Sequence, residues 1–265
     1  MATKRSQPRL LRREVHSPRN DMIENMTKIK ICGIKTVEDA LAAMDAGADL
    51  LGFNFYPKSP RYISVGQCRD VMSVMRKYGQ ITYVGVFVNA SVDEIRATMD
   101  TASLSLAQLH GDETPEMVRA LDGKGFKAFR GVPDRLSGFA REDAPALLVD
   151  ASVKGSYGGT GMTADWKSAA ELSKQIPLLL AGGLTPENVA DAVRQVRPWG
   201  VDVASGVESS PGVKDAAKMK AFVQAVRGLQ SLRAASPWDQ TLELVSQRPE
   251  SLESGNKHHV NSITS

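Results

Sequence analysis

Short runs rich in Leu, Val and Ile alternate along the chain with stretches whose apolar residues recur at helical spacing. The runs occupy residues 28–34 (KIKICGI), 49–55, 81–88, 104–111, 126–132, 146–152, 177–184 and 200–208. Each has the length and the β-branched or Leu-rich character of a buried strand. Between the first two, Val37, Ala40, Leu41, Met44 and Ala48 lie at i, i+3, i+4, i+7 and i+11, and Val189, Ala192, Val193 and Val196 repeat that stripe before the last run. Helix starts are marked too. Thr36-x-x-Asp39 and Ser91-x-x-Glu94 have capping-box spacing, while Thr114-Pro115 and Thr185-Pro186 set a cap before a proline and predict helices starting at those prolines.

Eight strand–helix units, with strand starts 20 to 32 residues apart, predict a single (β/α)8 TIM barrel of the α/β class. An open doubly wound sheet is the competing architecture. It usually holds fewer strands, and no G-x-G-x-x-G turn follows the first run. The barrel is expected over residues 27–235. Residues 1–26 lack apolar periodicity, and 236–265 are mostly Ser, Gln, Glu, Asn and His, so both ends are expected to be disordered tails.

Composition narrows the partners. A chain of 265 residues, 42% hydrophobic and 24% charged, can bury one core, and no apolar run approaches the roughly 18 residues of a membrane helix, so no membrane partner is expected. The formal charge is +3, but Lys4, Arg5, Arg9, Arg12, Arg13 and Arg19 account for the excess and the body is near neutral. Nucleic acid is therefore not an expected partner. Two cysteines, Cys32 and Cys68, cannot build a disulfide framework or a structural zinc site, and the only close histidine pair, His258–His259, lies in a tail. A reducing, cytoplasmic setting without metal follows. The Arg-rich first tail also fits an organelle transit peptide, though less well than a dispensable arm or an upstream start before Met22 and Met26. Monomer and homodimer both stay open.

The chemistry of such a barrel sits at the carboxyl ends of its strands. Side-chain alternation puts Ile29 and Ile31 toward the helices and Lys30 and Cys32 inside, and places Asn54, Gln108, His110, Arg130, Asp150 and Ser205 near the mouth. The AGGL turn (Ala181–Leu184) after strand seven and SGVE (Ser205–Glu208) after strand eight are paired glycine loops where backbone N–H groups can close on a phosphate. Single features carry plainer readings. A cysteine in a strand is commonly a small buried hydrophobe, His110 fits a core histidine equally well, and Arg61 fits a solvated loop charge as well as an anion clamp. Gly158–Gly161 is either a flexible loop or a lid. Asp150, after Leu147, Leu148 and Val149, needs a partner or a task.

Taken in order, KICGIKTVEDA, GFNFYPKSPRYIS, QLHGDE, LLVDA, GGTG followed by DW, AGGLTPENV and SGVESSPGVKD resemble the phosphoribosylanthranilate isomerase family of tryptophan biosynthesis, over about residues 28–230. The resemblance implies an Amadori rearrangement of N-(5-phosphoribosyl)anthranilate to 1-(2-carboxyphenylamino)-1-deoxyribulose 5-phosphate, with a small phosphorylated substrate and no cofactor. It implies Asp150 as general acid and Cys32 as general base. It also implies Arg61 on the anthranilate carboxylate and Gly183, Ser205 and Gly206 on the phosphate, with His110 a further substrate contact. The histidine-pathway phosphoribosyl isomerase is the nearest enzymatic alternative, and Cys32 argues against it because that family uses a carboxylate base. A catalytically silent barrel acting as a binding partner is a third reading, opposed by both catalytic positions being filled. Where the family commonly reads GGTGKTFDW, this chain has Met162 and Ala164. That departure puts the substrate contacts of this loop in doubt.

Overall fold

Alternation is satisfied by closure. In the computed structural model, which describes residues 26–79, 81–133, 136, 138–139, 143–151 and 165–234, eight strands pair in parallel in chain order and the last closes onto the first. They are β1 (Lys28–Cys32), β2 (Leu50–Asn54), β3 (Thr82–Phe87), β4 (Leu106–Leu109), β5 (Gly125–Arg130), β6 (Leu147–Asp150), β7 (Leu178–Ala181) and β8 (Gly200–Val203). The helices are α1 (Val37–Ala46), α2 (Val65–Met75), α3 (Val92–Ala102), α4 (Pro115–Arg119), α5 (Trp166–Ser173), α6 (Val189–Val196) and α7 (Ala216–Ala234). The predicted barrel forms, except that the described residues between β5 and β6 hold no helix. The chain divides into two units, residues 1–228 and 229–265. The barrel belongs to the first; in the second, residues 229–234 are helical.

Inside the barrel, Leu50, Val84, Phe126, Ala128, Leu148, Leu179 and Ala181 form one buried cluster drawn from five strands. Each large member contributes about 1.5–3 kcal/mol by leaving water. Ile29, Ile31, Leu51 and Phe53 are equally buried and, by alternation, point outward to the helices. Caps start several helices: Ser91 and Glu94 make the reciprocal capping box ahead of α3, and the Thr36 hydroxyl accepts from the Asp39 N–H at 3.1 Å.

Two predicted boundaries move. Thr114 does cap α4 at Pro115, but α6 begins at Val189 rather than at Pro186. The Asn188 side chain folds back to accept from the Thr185 N–H (2.8 Å), and the Val189 N–H donates to the Thr185 carbonyl (3.0 Å), so Thr185–Asn188 close a turn of their own. The run 200–208 is not one strand either. Ala204 leaves extended backbone (φ −124°, ψ −77°), Ser205–Val207 make a 3-10 turn, and an antiparallel pair follows, β9 (Glu208–Ser210) with β10 (Val213–Lys214).

Candidate active site

Every described candidate residue lies at the carboxyl end of a strand or in the loop after it, so the barrel gathers them on one rim. Cys32 is the last residue of β1 and faces inward beside β2. A Cβ on Gly52 would come within 2.8 Å of the Cys32 sulfur and 3.1 Å of the Lys30 side chain, so the bare glycine makes the space the thiol occupies. Cys32 is 7% exposed and Cys68, on α2, not at all. Burial pushes both thiols up, Cys68 to about 12, while at Cys32 the ammonium groups of Lys30 and Lys214 oppose that rise and Asp202 adds to it.

Asp150 ends β6 and is half-buried, in register with Arg130 on one side and Ala181 on the other. Strands β1 and β6 stand three apart around a ring of eight, so Cys32 and Asp150 approach the mouth from different sides. The loop after β6, with Gly158–Gly161, Met162 and Ala164, lies outside the described residues.

His110 follows β4, and its protonation pattern can be deduced. Lys30 Nζ donates to Gln108 Oε1 (2.9 Å), which orients the amide so that Gln108 Nε2 faces His110 Nδ1 at 3.2 Å. An amide nitrogen only donates, so Nδ1 accepts and the ring proton sits on Nε2. Burial holds the imidazole below its usual value and keeps it neutral, against the pull of Asp202 and Asp150.

Arg61 is not alone. Its Nε and Nη2 donate to the two carboxylate oxygens of Glu208 at 2.7 and 2.8 Å, a bidentate fork that the sequence reading did not foresee. Lys214 Nζ reaches the same carboxylate (2.8 Å) and the Ala204 carbonyl (3.0 Å). Burial alone would push the Glu208 carboxyl up; the two cations bring it below its usual value. A second missed group is Glu113, in the QLHGDE stretch. Its buried carboxylate accepts from the Asn89 and Gly111 N–H groups (2.8 Å each) and pairs with Lys127 (3.1 Å), whose ammonium also donates to the carbonyls of Leu109 and Gly111. Together they clamp the backbone on both sides of His110.

The paired glycine loops do meet. Gly182 and Gly183 both have positive φ (101° and 63°), Gly183 is exposed, and a Cβ on Gly206 would overlap the Leu184 carbonyl oxygen. Ser205 is exposed at the same edge. The two loops thus pack against each other with Gly183 and Ser205 exposed at their edge, and backbone N–H groups freed by glycine are the kind that can hold an anion. Gly206→Ala should therefore cost about 1–3 kcal/mol of stability by overpacking, read by thermal unfolding, while Gly228→Ala in α7, with open space around its Cβ position, should not destabilise. Equal melting temperatures for the two variants would refute the loop contact. No cluster of metal-binding side chains occurs among the described residues.

Known proteins resemble this chain. The family model described as N-(5'phosphoribosyl)anthranilate (PRA) isomerase matches residues 29–225. An N-(5'-phosphoribosyl)anthranilate isomerase of Geotalea uraniireducens is 48% identical over 206 residues, covering 77% of this chain and 100% of the relative. The crystal structure of phosphoribosyl anthranilate isomerase from Thermotoga maritima superposes with a TM-score of 0.66 at 37% identity, covering 77% of this chain and 100% of the other. A structure of the same kind of enzyme in complex with reduced 1-(o-carboxyphenylamino)-1-deoxyribulose 5-phosphate gives 0.65 at 36% identity, with the same coverage of 77% and 100%.

Proposed function

Since the chain belongs to the N-(5'-phosphoribosyl)anthranilate isomerase family and is an isomerase of tryptophan biosynthesis, we propose that Cys32 and Asp150 carry its two proton transfers. The observation that supports this pairing is their placement: a thiol and a carboxyl group on one rim, three strands apart, beside the joined glycine loops. Asp150, as the acid, protonates the furanose ring oxygen of N-(5-phosphoribosyl)anthranilate. The nitrogen lone pair then expels that oxygen and the ring opens to a Schiff base. Cys32, as thiolate, takes the proton from C2, and the electron pair moves to the nitrogen to give an enolamine. Tautomerisation to the ketone completes an isomerisation that needs no external electron acceptor.

Binding divides between the two ends of the substrate. Gly183, Ser205 and Gly206 hold the phosphate with backbone N–H groups. Arg61 takes the anthranilate carboxylate with the terminal edge of its guanidinium, because Glu208 already occupies the Nε–Nη2 edge. His110 presents Nε2–H to the sugar. The partner is this small phosphorylated molecule, and the chain acts in the cytoplasm as a monomer or homodimer, with catalysis contained in residues 27–235.

The experiment is a direct assay with substrate generated in situ from anthranilate and phosphoribosyl pyrophosphate. Substrate should vanish faster with the protein than without it; an unchanged rate would overturn the assignment. In the same assay Arg61→Ala should raise KM on the order of a hundredfold while kcat changes little, because a charged hydrogen bond present in both ground and transition states is lost. A fall in kcat at constant KM would remove Arg61 from carboxylate binding.

A further inference from the structure

A barrel interior has no need of a lysine. Lys30 is nevertheless wholly buried, one layer below Cys32 on the inward face of β1, beside an apolar cluster drawn from five other strands. Taking an ammonium out of water costs several kcal/mol even when it is paired. Two of its three N–H bonds are accounted for: one goes to Asp202 Oδ1 on β8 at 2.8 Å and one to Gln108 Oε1 on β4 at 2.9 Å. The last methylene of Lys30 and the Cys32 sulfur flank the same bare spot at Gly52, and the ammonium and the thiol act on each other as hydrogen-bond partners.

We propose that Lys30 is a positioning residue for the reaction: its buried ammonium stabilises the Cys32 sulfur as a thiolate, with Asp202 holding that ammonium in place. This rests on the reading of Cys32 as the base.

The other charged groups around the sulfur fit. Lys214 on β10 is the second cation, but its ammonium is spoken for by Glu208 and the Ala204 carbonyl. Asp202 is the one carboxylate among the groups acting on the thiol, and of the Lys30–Asp202 pair the ammonium acts the more strongly. On β2 the neighbouring position is a glycine, and on β4 it is the neutral Gln108, backed by a neutral His110. A buried pair so oriented turns its positive end toward the sulfur. Burial pushes the thiol up, and the ammonium of Lys30 is the largest influence acting against it.

The inference is tested by titrating Cys32 through its ultraviolet thiolate absorption, with Cys32→Ala subtracted, alongside the pH dependence of kcat/KM. Cys68, pushed up to about 12, stays silent over most of that range. Lys30→Met should move the Cys32 midpoint up by about one pH unit or more and Asp202→Asn should move it down, the scale on which an adjacent charge acts. The acid limb of kcat/KM should follow in both cases. Opposite signs are the diagnostic result, because a merely structural role would lower activity in both variants without moving the profile. Unmoved midpoints, or two shifts in one direction, overturn the proposal. If Lys30→Met fails to fold, the sign for Asp202→Asn decides alone. Opposite shifts together with undiminished turnover by Cys32→Ala support the pairing of Lys30 with the thiol and overturn the role of Cys32 as base.

Discussion

Cys32→Ala should lower kcat by about 10²–10⁴-fold, the range over which a positioned general base acts, with little change in affinity for the reduced product analogue. The argument is one of differential contact. The thiol is small, buried to 7% exposure and packed against Gly52, so it offers the bound ligand little area. What it supplies is a site for the C2 proton, needed only as that proton leaves. Cys32→Ser is the sharper variant, since a hydroxyl fits the same space but stays protonated at any accessible pH. Both variants are checked by steady-state kinetics together with calorimetric titration of the analogue. A Cys32→Ala enzyme with most of its turnover would take the thiol out of the mechanism.

Asp150→Asn should be comparably damaging, again about 10²–10⁴-fold in kcat. The amide keeps the size of the side chain at the end of β6 and its place between Arg130 and Ala181. It cannot deliver a proton to the departing ring oxygen. If Asp150→Asn retained most of its rate, His110 would be the next acid, because Gln108 leaves the proton of a neutral imidazole on Nε2. A double variant then decides between additive roles and a shared one.

How much of this could be read without the fold is uneven, and the division has a physical cause. Strand periodicity is local. The two-residue alternation in KIKIC assigns Lys30 and Cys32 to one face whatever the strand pairs with, and the same holds for Gln108, His110 and Asp150. Alternating strands and helices of these lengths predicted the closed barrel, and the barrel brings its strand ends together on one rim. Cap residues are nearly as local, yet they mislead where a side chain folds back on its own turn, as Asn188 does to move the start of α6 past Pro186. The eighth run was overextended for a related reason. Gly206 must pass against the Leu184 carbonyl, a contact made by the preceding loop and absent from the pattern of residues 200–208.

Pairing across the barrel is another matter. Lys30 meets Asp202 across 172 residues, Gln108 across 78, and Arg61 meets Glu208 across 147. A polar residue at an inward position is visible in the sequence; its partner is set by the register in which β8 closes on β1, where Lys30 stands opposite Asp202. A shift of one residue would turn every partner to the other face. The sequence therefore determined which residues reach the mouth. Only the tertiary structure decided that Arg61 is braced by Glu208 and that a buried ammonium lies beneath the thiol, because both contacts wait on β8 closing against β1, and that Glu113 and Lys127 clamp the backbone around His110, because that contact waits on β4 and β5 pairing in one register.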